Sequence, residues 1–296
     1  EMSNLLRSKV GLPAMAECKE WTRGEYGYEL TMVRDLCLDP EVSLEAEVLQ
    51  LGDQHRGCVL DTAVRCIKRK TPAVILELGC GVGAAMLRMA RALRTQDGGT
   101  VIGVEADPVR AAGAICLSYA AMVKGAVGSV RMDVRVGRAE ELLPQLRKEL
   151  GVKSVDLLIL GSLQGTQYHE DFARAFDLLA PGAAVVADRV LDPMSPEFMW
   201  QLSRCNIFEE IYAVDMEDDW VMIATGLHGE RLLKAPEEVI QMRFSADEAQ
   251  RRTFTWRYRD RLVAGATCDP AELEAAREAY QRLDLVPTLL KPHRSP

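Results

Sequence analysis

The stretch Ala73-Val74-Ile75-Leu76-Glu77-Leu78-Gly79-Cys80-Gly81-Val82-Gly83 constrains this chain more than any other. It runs directly into Ala84-Ala85-Met86-Leu87-Arg88-Met89-Ala90-Arg91, which has helical spacing. An unbroken apolar run, a glycine turn and a helix start describe a buried parallel strand feeding a helix. Such a turn is where an α/β sheet receives a nucleotide-like cofactor. Glycine lets the backbone approach a ligand closely, and the first helical N–H groups face it. The spacing is G-x-G-x-G with an acid, Glu77, before the first glycine, not the G-x-G-x-x-G of dinucleotide sites. A second strand, Thr100 to Glu105, ends in another acid about 20 residues on, placed to accept hydrogen bonds from ribose hydroxyls.

Regular alternation of strand and helix continues through residues 71–226. Strands are predicted near 73–78, 100–105, 130–136, 155–160, 183–188, 207–214 and 219–226, with helices near 83–95, 108–123, 139–150, 168–180 and 195–203. The expected fold is α/β: a doubly wound, mostly parallel seven-stranded sheet. Only Met216 to Asp219 separate the last two strands, so they should close the sheet as an antiparallel hairpin. Residues 1–70 read as an N-terminal helical cap, broken between Leu51 and Gly57, and 227–296 as a C-terminal helical extension. In the extension, Ser245-Ala246-Asp247-Glu248 has the pattern of a capping box opening a helix toward Gly265, and Asp269-Pro270 opens another. The tail from Pro287 is expected to be extended.

The net charge of −8 argues against general affinity for nucleic acid, whose phosphates demand a basic face. No apolar run is long enough for a membrane span, and the start at Glu1 has no leader pattern. Eight scattered cysteines without a C-x-x-C pair read as reduced packing thiols, so a cytoplasmic location is expected. The arginine-rich segment 251–261, with Trp256 and Tyr258, reads as a solvated helix; the C-terminal helices are a candidate surface for protein contacts or dimerisation.

The glycine loop resembles the S-adenosylmethionine (SAM) loop of class I methyltransferases. From Gly52 to Gly226 the chain is similar to the catechol O-methyltransferase family in motif order. The matching pieces are Gly52-Asp53-x-x-x-Gly57, Leu76-Glu77-Leu78-Gly79, Arg88-Met89-Ala90-Arg91, Glu105, Gly137 with Leu143-Pro144-Gln145-Leu146, Asp156 to Leu160, and Ala187-Asp188. The resemblance implies SAM as cofactor. It places SAM contacts at Leu49, Leu51, Glu77, Gly79, Gly81, Ala84, Ala85, Glu105, Ala106, Gly137, Arg138, Ala139 and Glu140. Ser162 and Leu163 fall beside the adenine, where the family carries a His-Trp pair.

The departures concern chemistry. The family binds magnesium through an Asp after the fourth strand and an Asp-Asn pair after the fifth, with a lysine as base. Here those positions are Gly161, then Asp188-Arg189, with Gln164 for the lysine. Magnesium wants hard oxygen ligands, and a guanidinium offers no lone pair. No metal is therefore expected. The candidate catalytic residues are His169 as base, Asp188 as base or as partner of Arg189, and Arg189 as holder of an anionic oxygen. The expected activity is metal-independent O-methylation of a small acceptor, aromatic or anionic in character. Two alternatives stay open: a non-catalytic SAM-binding or scaffold module, and an NAD-dependent oxidoreductase.

Overall fold

A computed structural model describes residues 54–67, 72–96, 98–161, 167–191, 194–216, 219–248 and 270–290. The chain divides into two compact units, Glu1–Glu149 and Leu150–Pro296.

In the first unit, helix α1 (Gln54–Arg65) precedes β1 (Ala73–Leu78), α2 (Ala84–Leu93), β2 (Gly99–Glu105), α3 (Pro108–Val123), β3 (Arg131–Val136) and the start of α4 (Ala139–Leu150). The three strands pair in parallel in the order β3-β2-β1, with Glu77 opposite Gly103 and Glu105 opposite Val136. The β1 sequence AVILEL is almost wholly buried, as its unbroken apolar run requires. Helix α2 buries Met86, Leu87, Met89, Ala90 and Leu93 as one stripe. Asp107 caps α3, its Oδ1 accepting from the N–H groups of Val109 (2.8 Å) and Arg110 (3.2 Å), with Pro108 at the first helical position.

Gly57 lies inside α1 and not in a break before it. Its role is close approach: a Cβ there would sit 1.9 Å from the Arg88 guanidinium. That guanidinium grips Asp61 of α1 through Nε (3.0 Å) and Nη2 (2.8 Å), fixing α1 to α2.

The second unit holds β4 (Val155–Leu160), α5 (Tyr168–Ala175), β5 (Leu179–Ala187), α6 (Pro196–Arg204), β6 (Phe208–Asp215), β7 (Trp220–Leu227), a helix over 237–248 (α7), α8 (Pro270–Arg282) and β8 (Thr288–Leu290). The strand order is β4-β5-β7-β6-β8. β4 and β5 are parallel, while β6 and β7 form the expected antiparallel hairpin, with Asp215 opposite Trp220. The described residues thus carry eight strands, one more than the alternation predicts. The addition is β8, three residues of the extended tail pairing in parallel with β6.

Three boundaries differ from expectation. α5 ends at Ala175 and not near 180, followed by a tighter turn over Phe176–Leu178. β5 begins at Leu179 and not at 183, because Pro181 and Gly182 sit in an irregular stretch of strand that also shifts its register with β4. Ser245 is no cap: it lies within α7, and its Oγ bonds back to the Gln241 carbonyl at 3.1 Å. The core of this unit centres on Phe172, whose ring meets Phe176, Phe198 and Phe208 at centroid distances of 5.7, 5.6 and 6.3 Å.

Candidate cofactor and acceptor sites

Three left-handed glycines shape the loop after β1: Gly79 (φ 83°), Gly81 (φ 55°) and Gly83 (φ 86°). Side chains are strained at such φ, which explains glycine here more directly than crowding does. A Cβ on Gly81 would meet nothing within 4 Å, so the backbone borders open space. Gly79 and Cys80 both donate to the Val104 carbonyl, at 2.8 and 3.1 Å. Glu105 completes the tie. Its Oε2 accepts the Gly81 N–H (2.8 Å) and its Oε1 the Asp107 N–H (2.9 Å).

Glu77 is the exceptional group. It is 3% exposed, and its Oε2 has no hydrogen-bond partner. Burial, aided by the neighbouring Glu105 charge, pushes its carboxyl up to about 8. A buried carboxyl oxygen without a donor, beside a second carboxylate, calls for a cationic or N–H-donating ligand. The ammonium of an amino-acid-like cofactor fits that demand. Ala84 and Ala85 lie in the first turn of α2, where helical N–H groups lack internal partners. Ala106 is exposed beside Glu105. The Gly137 N–H donates to the Glu105 carbonyl at 2.9 Å, leading into Arg138, Ala139 and Glu140 at the head of α4, where Arg138 and Glu140 pair at 2.9 Å. Leu49, Leu51, Ser162, Leu163 and Gln164 lie outside the described residues.

The second unit carries Asp188 and Arg189 immediately after β5. Arg189 has a left-handed backbone (φ 57°), uncommon for a residue with a side chain. The surrounding loop is held by buried side chains. The Tyr168 hydroxyl donates to the Asp188 carbonyl (2.9 Å), and the Tyr280 hydroxyl to that of Val190 (2.8 Å). Asp219 Oδ1 accepts the Leu191 N–H (2.9 Å) and the Trp220 N–H (2.6 Å). Burial pushes Asp219 up to about 7, while those two hydrogen bonds pull the other way. Burial likewise pushes the Tyr168 and Tyr280 phenols up, so both remain donors.

His169 does not face solvent at the start of α5. Its side chain is 14% exposed, with Nε2 3.2 Å from Glu197 Oε2, and Glu197 also pairs with Arg243. Arg243 in turn meets Asp247 at 3.4 Å. A mostly buried ionic cluster thus links α5, α6 and α7. Among the described residues no three His, Cys, Asp or Glu side chains gather as metal ligands would. Neither Gly161 nor Arg189 offers a side-chain lone pair.

Sequence reasoning missed Asp219, Glu197 and Tyr280. Asp219 reads as a solvated hairpin acid, and only its burial reveals it. Glu197 is an ordinary first-turn acid, and Tyr280 an ordinary helical aromatic.

A methyltransferase-domain family matches residues 76–190. The catechol O-methyltransferase of Sus scrofa is 31% identical over 159 residues, covering 53% of this chain and 79% of that protein. The chain belongs to the catechol O-methyltransferase family. The transmembrane O-methyltransferase of Homo sapiens is 34% identical over 144 residues, covering 48% of this chain and 47% of that protein. The chain therefore spans about half the length of the transmembrane relatives it matches, and no described helix is long and apolar enough to cross a membrane. Among solved structures, an O-methyltransferase from Bacillus cereus in complex with SAH is 19% identical, with a TM-score of 0.49 over 64% of this chain and 93% of that one.

Proposed function

We propose that this catechol O-methyltransferase family member is a SAM-dependent O-methyltransferase that works without a divalent metal on a small, anionic acceptor. The unpartnered Oε2 of buried Glu77, beside Glu105, carries the cofactor reading. Glu77 would hold the ammonium of the methionine part. Glu105, already bonded to two backbone N–H groups, keeps lone pairs for ribose hydroxyls. When bound, SAM supplies a methyl group on a cationic sulfonium.

Arg189 stands where the family has an uncharged metal ligand. A guanidinium keeps its charge at any working pH and lowers the pKa of a phenol held against it, so it takes over part of a metal's electrostatic work. Asp188 is the nearest proton acceptor in sequence. His169, oriented by Glu197, is the second candidate. The acceptor in this reading is a small molecule. A cytoplasm-like location belongs to the same reading, on the scattered cysteine spacing of the sequence.

Calorimetric titration with SAM and with NAD, followed by a product-release screen over phenols, carboxylic acids and amines, tests the reading. The expected result is SAM binding and methyl transfer that is insensitive to chelator and to added magnesium. Binding of NAD alone would replace the cofactor. SAM binding without turnover would favour a scaffold role, for which the altered metal and lysine positions already speak. Activity lost to chelator and restored by magnesium would overturn metal independence.

A further inference from the structure

We propose that Tyr280, carried by the C-terminal helix α8, is a positioning residue for Arg189, which makes α8 part of the subsite for an acceptor carboxylate. The inference rests on the anionic-acceptor reading above and extends it to an element outside the matched methyltransferase domain, which ends at Val190.

The Tyr280 hydroxyl does two things at once. It donates to the Val190 carbonyl (2.8 Å) and accepts the Ser195 N–H (2.7 Å), bracketing the loop whose first residues are Asp188 and Arg189. The residue is fully buried, and its ring stacks on Trp220 with centroids 6.4 Å apart and planes at 29°. The Trp220 indole N–H donates to Asp215 (3.0 Å), and Arg277, one turn before Tyr280 on α8, reaches the same carboxylate oxygen (3.0 Å). Helix α8 is thereby pinned at two points, and the hydroxyl has a fixed place. Tyr168 and Asp219 hold the neighbouring carbonyl of Asp188 and N–H of Leu191.

Left to itself, Arg189 would relax out of its left-handed backbone. Bonds on the residue before it and the two after it hold it there; on Val190 the Tyr280 hydroxyl (2.8 Å) is the shortest, beside the backbone bonds to Trp220 (3.4 Å) and Ser195 (3.3 Å). A guanidinium on a fixed backbone loses less freedom on meeting an anion than one on a mobile loop. The chemistry it suits is a planar carboxylate, whose two oxygens the guanidinium can bind through two parallel N–H groups.

Tyr280→Phe keeps the stacking ring and removes only the hydroxyl. The probes are 3,4-dihydroxybenzoate and catechol, which share a ring and differ by one carboxylate. Wild-type protein with bound SAH should bind the benzoate more tightly than catechol in calorimetry. In Tyr280→Phe that preference should fall about tenfold, with KM for the benzoate rising far more than kcat falls, while catechol and SAM affinities stay within about twofold. Arg189→Ala should abolish the preference, and adding Tyr280→Phe to it should change nothing further. Equal losses for both acceptors and for SAM, additive effects in the double variant, or no preference in the wild type would each overturn the proposal. Absent turnover with an intact, Tyr280-dependent binding preference would instead remove the enzymatic reading and leave the subsite standing. Failure to bind SAM would remove the cofactor reading alone.

Discussion

Glu77 carries its carboxyl almost out of water at the end of β1, and burial pushes it up to about 8 from an ordinary value of 4.5. Between those two values the folded chain holds a proton that the unfolded chain has already released. Stability of the ligand-free protein should therefore fall as pH rises from about 4.5 to about 8, and level off above. Melting temperatures across that range check this. Glu77→Gln, which is neutral throughout, should flatten much of the slope, and an unchanged slope would show that other groups carry it. Asp219, pushed up to about 7, contributes in the same sense below that pH. Binding an ammonium against Glu77 must also expel its proton, so SAM binding at neutral pH should release protons, visible as a buffer-dependent heat.

At the scale of elements, α5 and α6 are joined by rings more than by charges. Phe172 is fully buried and meets three phenylalanines, so Phe172→Ala should cost about 3–5 kcal/mol by lost transfer and an unfilled cavity. Urea unfolding measures it. A loss under about 1 kcal/mol would mean the neighbouring rings collapse into the space. Helix and strand identities were legible wherever a local rule dominates. The glycine loop announces itself because left-handed backbone at Gly79, Gly81 and Gly83 leaves glycine as the easy choice. The β6–β7 hairpin announces itself through its short link. Gly57 was read as a break because glycine signals turns, whereas here it admits the Arg88 guanidinium, a contact 31 residues away in sequence. Ser245 was read as a cap because Ser-x-x-Glu fits one, yet the helix had already begun at 237. The clasp by Tyr280 on Val190 spans 90 residues, and no local pattern encodes a partner at that separation.

For the whole molecule, the cofactor reading makes one global demand. SAM at a hundredfold excess over its dissociation constant should stabilise the fold by about 2.7 kcal/mol, read as a rise in melting temperature. No shift with SAM at millimolar concentration, alongside a shift with NAD, would reverse the assignment. The clasp on the loop after β5 bears on how such a molecule is made. Glu77 and Glu105 lie in the unit whose last residue is Glu149, whereas the loop that carries Arg189 gains its clasp only when Tyr280 has been synthesised. At ordinary rates of translation that interval is on the order of ten seconds. During it the loop lacks its clasp, so the left-handed backbone of Arg189 is fastened only once α8 has been made.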